Sequence, residues 1–216
     1  MYAFIRRALT VLTIGLLVLG SASVASAATG AKVTTEHQRG PLINASFTSF
    51  DPTGCIETDT FVTANRPTVY ELPGRGVTTG IGAVNVFEYD SCTETTLLQA
   101  VGELDTLSDA QFQVSNQFDW AALHATIPVT EIDTGATFDL RVDVTLVGTS
   151  VISRNHENTN DFYGGGCHVL NRWKGSGRTA TSSGVVSDGV TNFTPVATDS
   201  AEIGLVIDGF VVINCP

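Results

Sequence analysis

The sequence predicts an all-β fold: a single β-sandwich or jelly-roll-like domain of about ten to twelve antiparallel strands, following a cleavable signal peptide. Three observations carry this. First, in residues 136–148, ATFDLRVDVTLVG, Phe138, Leu140, Val142, Val144 and Leu146 share one parity, while Asp139, Arg141, Asp143 and Thr145 share the other. Successive strand side chains point to opposite faces, so this is a strand with one dry and one wet face. A helix would scatter the charges through its buried stripe. Second, Val, Thr and Gly abound while Lys is nearly absent, a strand-and-turn composition. Third, turn signals of the Pro-x-Gly, Asp-Gly and Asp-x-Gly kind recur along the chain at spacings typical of sandwiches. A dry strand face needs a second layer to cover it.

The N-terminus reads as an export signal. Arg6 and Arg7 precede the apolar run Leu9–Leu19, and Ala25-Ser26-Ala27 fits a small-x-small cleavage site. This run of eleven residues is too short to span a bilayer, which takes about 20. Cleavage after Ala27 leaves residues 28–216. Nine basic residues then face 22 acidic ones, a formal charge of about −13. Such a surface resists self-association and argues against nucleic acid and anionic membranes as bulk partners.

Within the exported part, residues 28–41 are small and polar and read as a flexible lead-in, and residues 42–216 as the domain. Strands are expected at 42–51 and 56–64, joined by Pro52-Thr53-Gly54, and again at 79–90 and 96–104. Phe50-Asp51 before Cys55-Ile56-Glu57-Thr58 is echoed by Tyr89-Asp90 before Cys92-Thr93-Glu94-Thr95, 37 positions later. Two like hairpins side by side would bring Cys55 and Cys92 within bonding reach. Residues 110–118 alternate through Phe112, Val114 and Phe118. Residues 120–130 allow either a short helical turn capped by Asp119 or a strand, which Pro128 and its β-branched neighbours favour. Asp133-Thr134-Gly135 introduces the 136–148 strand. Residues 149–178 read as an irregular region. Further strands are expected at 178–187, 190–194, 200–207 and 210–214, with Asp188-Gly189 and Asp208-Gly209 as hairpin turns.

Four cysteines, Cys55, Cys92, Cys167 and Cys215, follow the cleavage site. An even number in an exported chain suggests two disulfides. Three pairings are possible, and Cys55–Cys92 with Cys167–Cys215 closes each half of the chain on itself. No CxxC is present and the spacings are long, which argues against a metal held by these thiols.

Chemistry concentrates in residues 150–178. Four of the nine basic residues lie there (Arg154, Arg172, Lys174, Arg178), with two of the four histidines, His156 and His168, and with Tyr163, Trp173 and the glycines at 164–166. Binding residues tend to sit on irregular segments held by a rigid scaffold. The candidate binding set is therefore Arg154, His156, Tyr163, His168, Arg172, Trp173 and Lys174. Arg172 and Lys174 flank Trp173, so on a strand they share one face and the indole takes the other. An aromatic plate with charged donors suits a sugar ring or a carboxylate. The bland reading is that Trp173 is core and the cations pair with surface carboxylates. His156, Glu157, Asp161 and His168 are ligand types without ligand spacing, so no metal is assigned. Calcium on acidic turns such as 105–109 is the one cofactor considered, without an EF-hand spacing to support it. No GxSxG is present, and a Cys167–His168 dyad would need a free thiol.

The segment from Val142 to Pro195, with VDVTLVGTSVISR, NRWKGSGRTATSSGVVSDG and NFTP, resembles a group of small exported bacterial proteins of no assigned function. That resemblance implies export and an all-β domain, and carries no functional residue.

The expected function is a non-enzymatic extracellular or surface-associated protein that acts by binding, its ligand a polysaccharide or another envelope component. The alternative is a secreted hydrolase of such a polymer; the third reading is a structural surface protein without ligand. Edman sequencing of the exported protein should begin at Ala28; a start at Met1 would remove the export reading.

Overall fold

The structure, a computed structural model, describes residues 32–66, 69–71, 80–162, 168–194 and 200–215. Residues 1–27, expected as a leader, and residues 28–31 lie outside these. Eleven strands run β1 Lys32–Phe50, β2 Ile56–Asn65, β3 Val69–Glu71, β4 Ile81–Asp90, β5 Thr95–Leu104, β6 Phe112–Val114, β7 Trp120–Glu131, β8 Thr137–Gly148, β9 Ser153–Phe162, β10 His168–Ser187 and β11 Ser200–Cys215. The all-β expectation holds, with a strand count inside the expected range.

All the strands belong to one antiparallel sheet in the order β11-β1-β2-β4-β5-β7-β8-β10-β9, and β10 also pairs with β11. The path therefore returns to its start through eight strands: β1, β2, β4, β5, β7, β8, β10 and β11. Each follows its ring neighbour in sequence, so the connectivity is a meander. The two layers that the strand patterning called for are opposite walls of this one sheet, closed on itself.

Strand alternation puts the core inside the ring. In β7 and β8 the inward set pairs across the ladder as Leu123 with Val144, Ala125 with Val142 and Ile127 with Leu140, all buried. Ile43, Ala45, Phe47, Val62, Ala64, Val84, Val86, Ala100, Ala180 and Ile203 complete the lining. Each large apolar side chain removed from water contributes about 1.5–3 kcal/mol. The outer wall carries Asp139, Arg141 and Asp143, the reverse of the apolar-out alternation with which a barrel meets lipid.

Closing a sheet demands sharp local coiling, and glycine supplies it at two places. A Cβ on Gly102 would lie 2.2 Å from the carbonyl oxygen of Pro128. Gly184 has φ +145°, and a Cβ there would lie 2.1 Å from the carbonyl oxygen of Asp143. The ring is most thinly laced at β5–β7, where only residues 100–102 pair with 129–131. Pro128, which has no N–H to donate, stands at the edge of that gap. Farther along, the His124 N–H is taken by the Gln111 carbonyl (2.8 Å).

The two ends of the ring are stoppered. At one end residues 193 and 194, after β10, dip inward. Phe193 is 3% exposed. The Thr60 hydroxyl donates to the Phe193 carbonyl (2.8 Å), and the Val186 N–H donates to Thr194 Oγ1 (2.9 Å). Residues 190–194, expected as a strand, form none, with only a Ser187–Asn192 bridge; 190–192 are exposed and Phe193 and Thr194 are the plug. At the other end Leu107, Phe112 and Phe118 are buried. Arg178 closes the rim there, donating to Asp119 Oδ1 (2.6 Å) and to the Gln117 carbonyl. Asp119 thus holds Arg178 rather than capping a helical turn, and the strand reading of 120–130 holds.

Three other expectations are corrected. Residues 32–41, taken as part of a loose lead-in, are the first half of β1, because β11 pairs with them from Lys32 onward. Residues 200–207 and 210–214 form one strand: Asp208-Gly209 makes no hairpin turn. Ile207 is bulged out there, unpaired in both the β1 and the β10 ladder. A bulge bends and twists a strand without reversing it. The supposedly irregular 149–178 region is largely strand: β9 pairs with β10 across residues 153–162 and 168–177. Beyond the ring, β1, β10 and β11 continue together, flanked by β3 and β9 in the order β3-β1-β11-β10-β9. Ten residues of β10 reach roughly 30 Å past its last partner in the ring wall, β8.

The cysteine echo is structural. Cys55 and Cys92 form a disulfide with Cα atoms 5.3 Å apart. Asp51 Oδ1 accepts from the N–H groups of Cys55 and Ile56, and Asp90 Oδ1 from those of Cys92 and Thr93. Ser91 donates its N–H and its hydroxyl to the Cys55 carbonyl. The two hairpin turns dock on each other directly. Cys167 lies outside the described residues, and the expected Cys167–Cys215 pairing with it.

Two outcomes follow from this architecture. Phe193→Ala should lower unfolding free energy by about 3–5 kcal/mol in chemical denaturation; a loss below about 1 kcal/mol would mean that the plug does not hold the barrel end. The second concerns pH. The Thr53 hydroxyl and backbone N–H groups lower the Asp51 pKa, and the Thr93 N–H leads in lowering that of Asp90. Depressed carboxylate pKa values stabilise the fold above the unfolded value of about 3.9, and the gain is lost as pH falls through the folded values. Stability should therefore drop below about pH 4, and Asp51→Asn/Asp90→Asn should flatten that drop.

Candidate binding face

The hairpin of β9 and β10 carries most of the expected binding residues. Its register sets Lys174 opposite His156, Arg172 opposite Asn158, Leu170 opposite Asn160 and Ser176 opposite Arg154. Directly paired residues of an antiparallel ladder share a face. Arg154, His156, Asn158, Asn160, Leu170, Arg172 and Lys174 are all exposed. One open face thus gathers Arg154, His156, Arg172 and Lys174. His168 stands at the far end, half-buried, opposite Phe162 in register, and its Nε2 meets the Asn160 Oδ1.

Trp173 is half-buried and alternates onto the other side, with buried Val169 and half-buried Asn171. It does not sit beside the cations as a plate for the same sugar ring. Tyr163 lies outside the described residues. Arg178, fourth of the basic residues in the region, is withdrawn from the face by its bond to Asp119 at the rim. His156 and His168 stand level with positions six residues apart on β9, roughly 20 Å. They cannot share a metal ion.

Among the described residues, no ion pair engages Arg154, His156, Arg172 or Lys174. Lys174 also stands opposite Asp208 of β11 in register. Same-face neighbours along a strand are about 6.6 Å apart. Two cations at that separation repel by roughly 0.6 kcal/mol in water and about 2.5 kcal/mol at an effective dielectric of 20. An anion between them removes that cost, which is why unpaired cations in rows suit anionic ligands.

A second group of polar residues escapes sequence reading. On the outer wall His124 of β7 stands opposite Asp143 of β8, with Nδ1 2.7 Å from Asp143 Oδ1. Arg141 donates to the other oxygen at 3.1 Å. Desolvation raises the Asp143 pKa, but the bonds to Arg141 and His124 outweigh it and the net shift is downward. The pair lies on an open wall, its side chains 52% and 39% exposed, far from the enclosed geometry in which a histidine–carboxylate pair activates a nucleophile. Asp90 lies with Cys55 and Cys92 in a metal-like cluster, but both sulfurs are spent in the disulfide.

Comparison with protein-family models, with curated proteins and with solved structures finds no match for the chain.

Proposed function

We propose that the protein is a non-enzymatic extracellular binding protein that uses the β9–β10 face, its ligand a polysaccharide or another component of a cell envelope. The reading is supported chiefly by one observation: Arg154, His156, Arg172 and Lys174, from two stretches of sequence, share one solvent-open strand face, and among the described residues no ion pair engages them. A fixed two-stranded face presents its groups without the ordering cost that a loop would carry. The hydrolase reading draws less support, since the one histidine–carboxylate pair among the described residues, His124–Asp143, is on the convex outer wall.

The test is retention of purified protein by a panel of insoluble polysaccharides and cell-wall preparations, beside an Arg172→Ala/Lys174→Ala variant checked for native circular dichroism. Retention of the parent and loss in the variant supports the reading. Equal behaviour of the two, bound or unbound, overturns it.

A further inference from the structure

We infer that the ligand of this face is an acidic polysaccharide, a chain bearing carboxylate or phosphate groups, bound as a short segment along the β9–β10 hairpin. The inference rests on the binding reading above and goes beyond it by naming the charge of the ligand and the residues that recognise it. Arg172 and Lys174 follow each other along β10, and Arg154 and His156 along β9, at the two-residue pitch of a strand. Lys174 and His156 face each other across the ladder. The result is two parallel rows of donors on one open plane, with three permanent cations. Arg offers a planar fork to a carboxylate or phosphate, and Lys a point charge.

The remaining groups on the face select sugar over other polyanions. Asn158 opposite Arg172 offers amide donors and an acceptor for hydroxyl groups. Leu170, 37% exposed, gives a small apolar surface for a ring face. The acid of β9 whose exposure is described, Asp161, falls on the opposite parity and stays out of the rows, and the one acidic position in register with a cation of the rows is Asp208 of β11, opposite Lys174 at their edge. Trp173 turns to the other side, so it is not available on this face to stack nucleotide bases, as single-strand binders require.

The overall charge sets the length of the bound segment. Residues 28–216, with a formal charge of about −13, repel a polyanion that wraps them. The Debye length at physiological ionic strength is about 8 Å. Arg154 and Lys174 stand level with β10 positions four and six residues past its last pairing with β8, roughly 13 and 20 Å, so the ring-wall charges are largely screened from a ligand on these rows.

The experiment is isothermal titration of the purified protein with polygalacturonate, polyphosphate and neutral dextran, repeated with Arg172→Gln/Lys174→Gln and with the charge-keeping Arg172→Lys/Lys174→Arg. The expected result is binding of polygalacturonate, at least about tenfold weaker in the Gln variant and within about threefold of the parent in the charge-keeping one. Affinity should fall between about 0.1 and 0.5 M NaCl. Binding of polyphosphate as tight as that of polygalacturonate, with the same variant pattern, overturns the assignment to polysaccharide and leaves a face that binds anions at large. Binding of dextran as tight as that of polygalacturonate, unchanged in the Gln variant, overturns the acidic ligand while leaving a binding protein. No binding of any probe, with no retention by cell-wall preparations, overturns both. Tighter binding of duplex DNA or of phosphatidylglycerol vesicles than of either acidic polymer also overturns the assignment to polysaccharide.

Discussion

The ladder between β10 and β11 is the contact on which the rest depends. Without it the eleven strands form an open ribbon with unpaired edges and an apolar face too wide for any one layer to cover. With it, the edges of the ring are paired, as only full closure achieves, and the inward side chains of opposite walls become each other's cover. The same two strands then run on past the ring. Closure and extension are one act: the stretch of β11 around Ile207 bulges at the exit, and β10 exchanges β8 for β9 along one edge.

Closure creates two open ends, and the chain stops them by different physics. The Phe193 end is stopped by apolar insertion; the Phe193 carbonyl accepts from the Thr60 hydroxyl, the Phe193 N–H donates to the Val186 carbonyl, and Thr194 Oγ1 accepts from the Val186 N–H. A carbonyl turned into a dry interior without such partners would cost about 1–3 kcal/mol. The opposite rim is stopped by Leu107, Phe112 and Phe118, with the Arg178–Asp119 pair over them. The Cys55–Cys92 bond ties two neighbouring turns rather than distant walls. Its separation of 37 residues is nonetheless worth about 4 kcal/mol in the chain-entropy account, because it constrains the unfolded chain.

Charge is distributed along the same division. The ring wall and its turns spend charge internally: Asp51 and Asp90 cap turns, Asp143 holds His124 and Arg141, Asp109 holds Arg66, and Asp119 holds Arg178. The hairpin beyond the ring leaves Arg154, Arg172 and Lys174 uncommitted among the described residues. A fold that consumes its ion pairs in one part and exposes bare cations in another presents a surface of different affinity from its mean charge.

Much of this was legible in the chain. Period-two alternation in residues 136–148 determined a strand with one buried face, because side-chain direction there is local geometry. The repeated Asp-turn-Cys pattern determined two like hairpins, because a carboxylate capping backbone N–H groups is also local, and the docked turns brought Cys55 to Cys92. The basic and aromatic residues of 150–178 stood out by composition, and alternation alone set Trp173 opposite Arg172 and Lys174. What sequence could not decide was whatever depends on partners remote in the chain. A polar stretch such as SRNHENTNDF has no apolar period, and it becomes strand β9 because β10 supplies its backbone partners. Asp208-Gly209 has the chemistry of a turn, but β1 and β10 hold both sides of the strand and turn it into a bulge. Residues 190–194 look like a strand, and Phe193 and Thr194 become a plug because the ring has an end to fill. The pairing of His124 with Asp143 depends on the β7–β8 register, which no local pattern encodes. Closure of the sheet belongs to the tertiary structure alone, since it is decided by where the last strand meets the first.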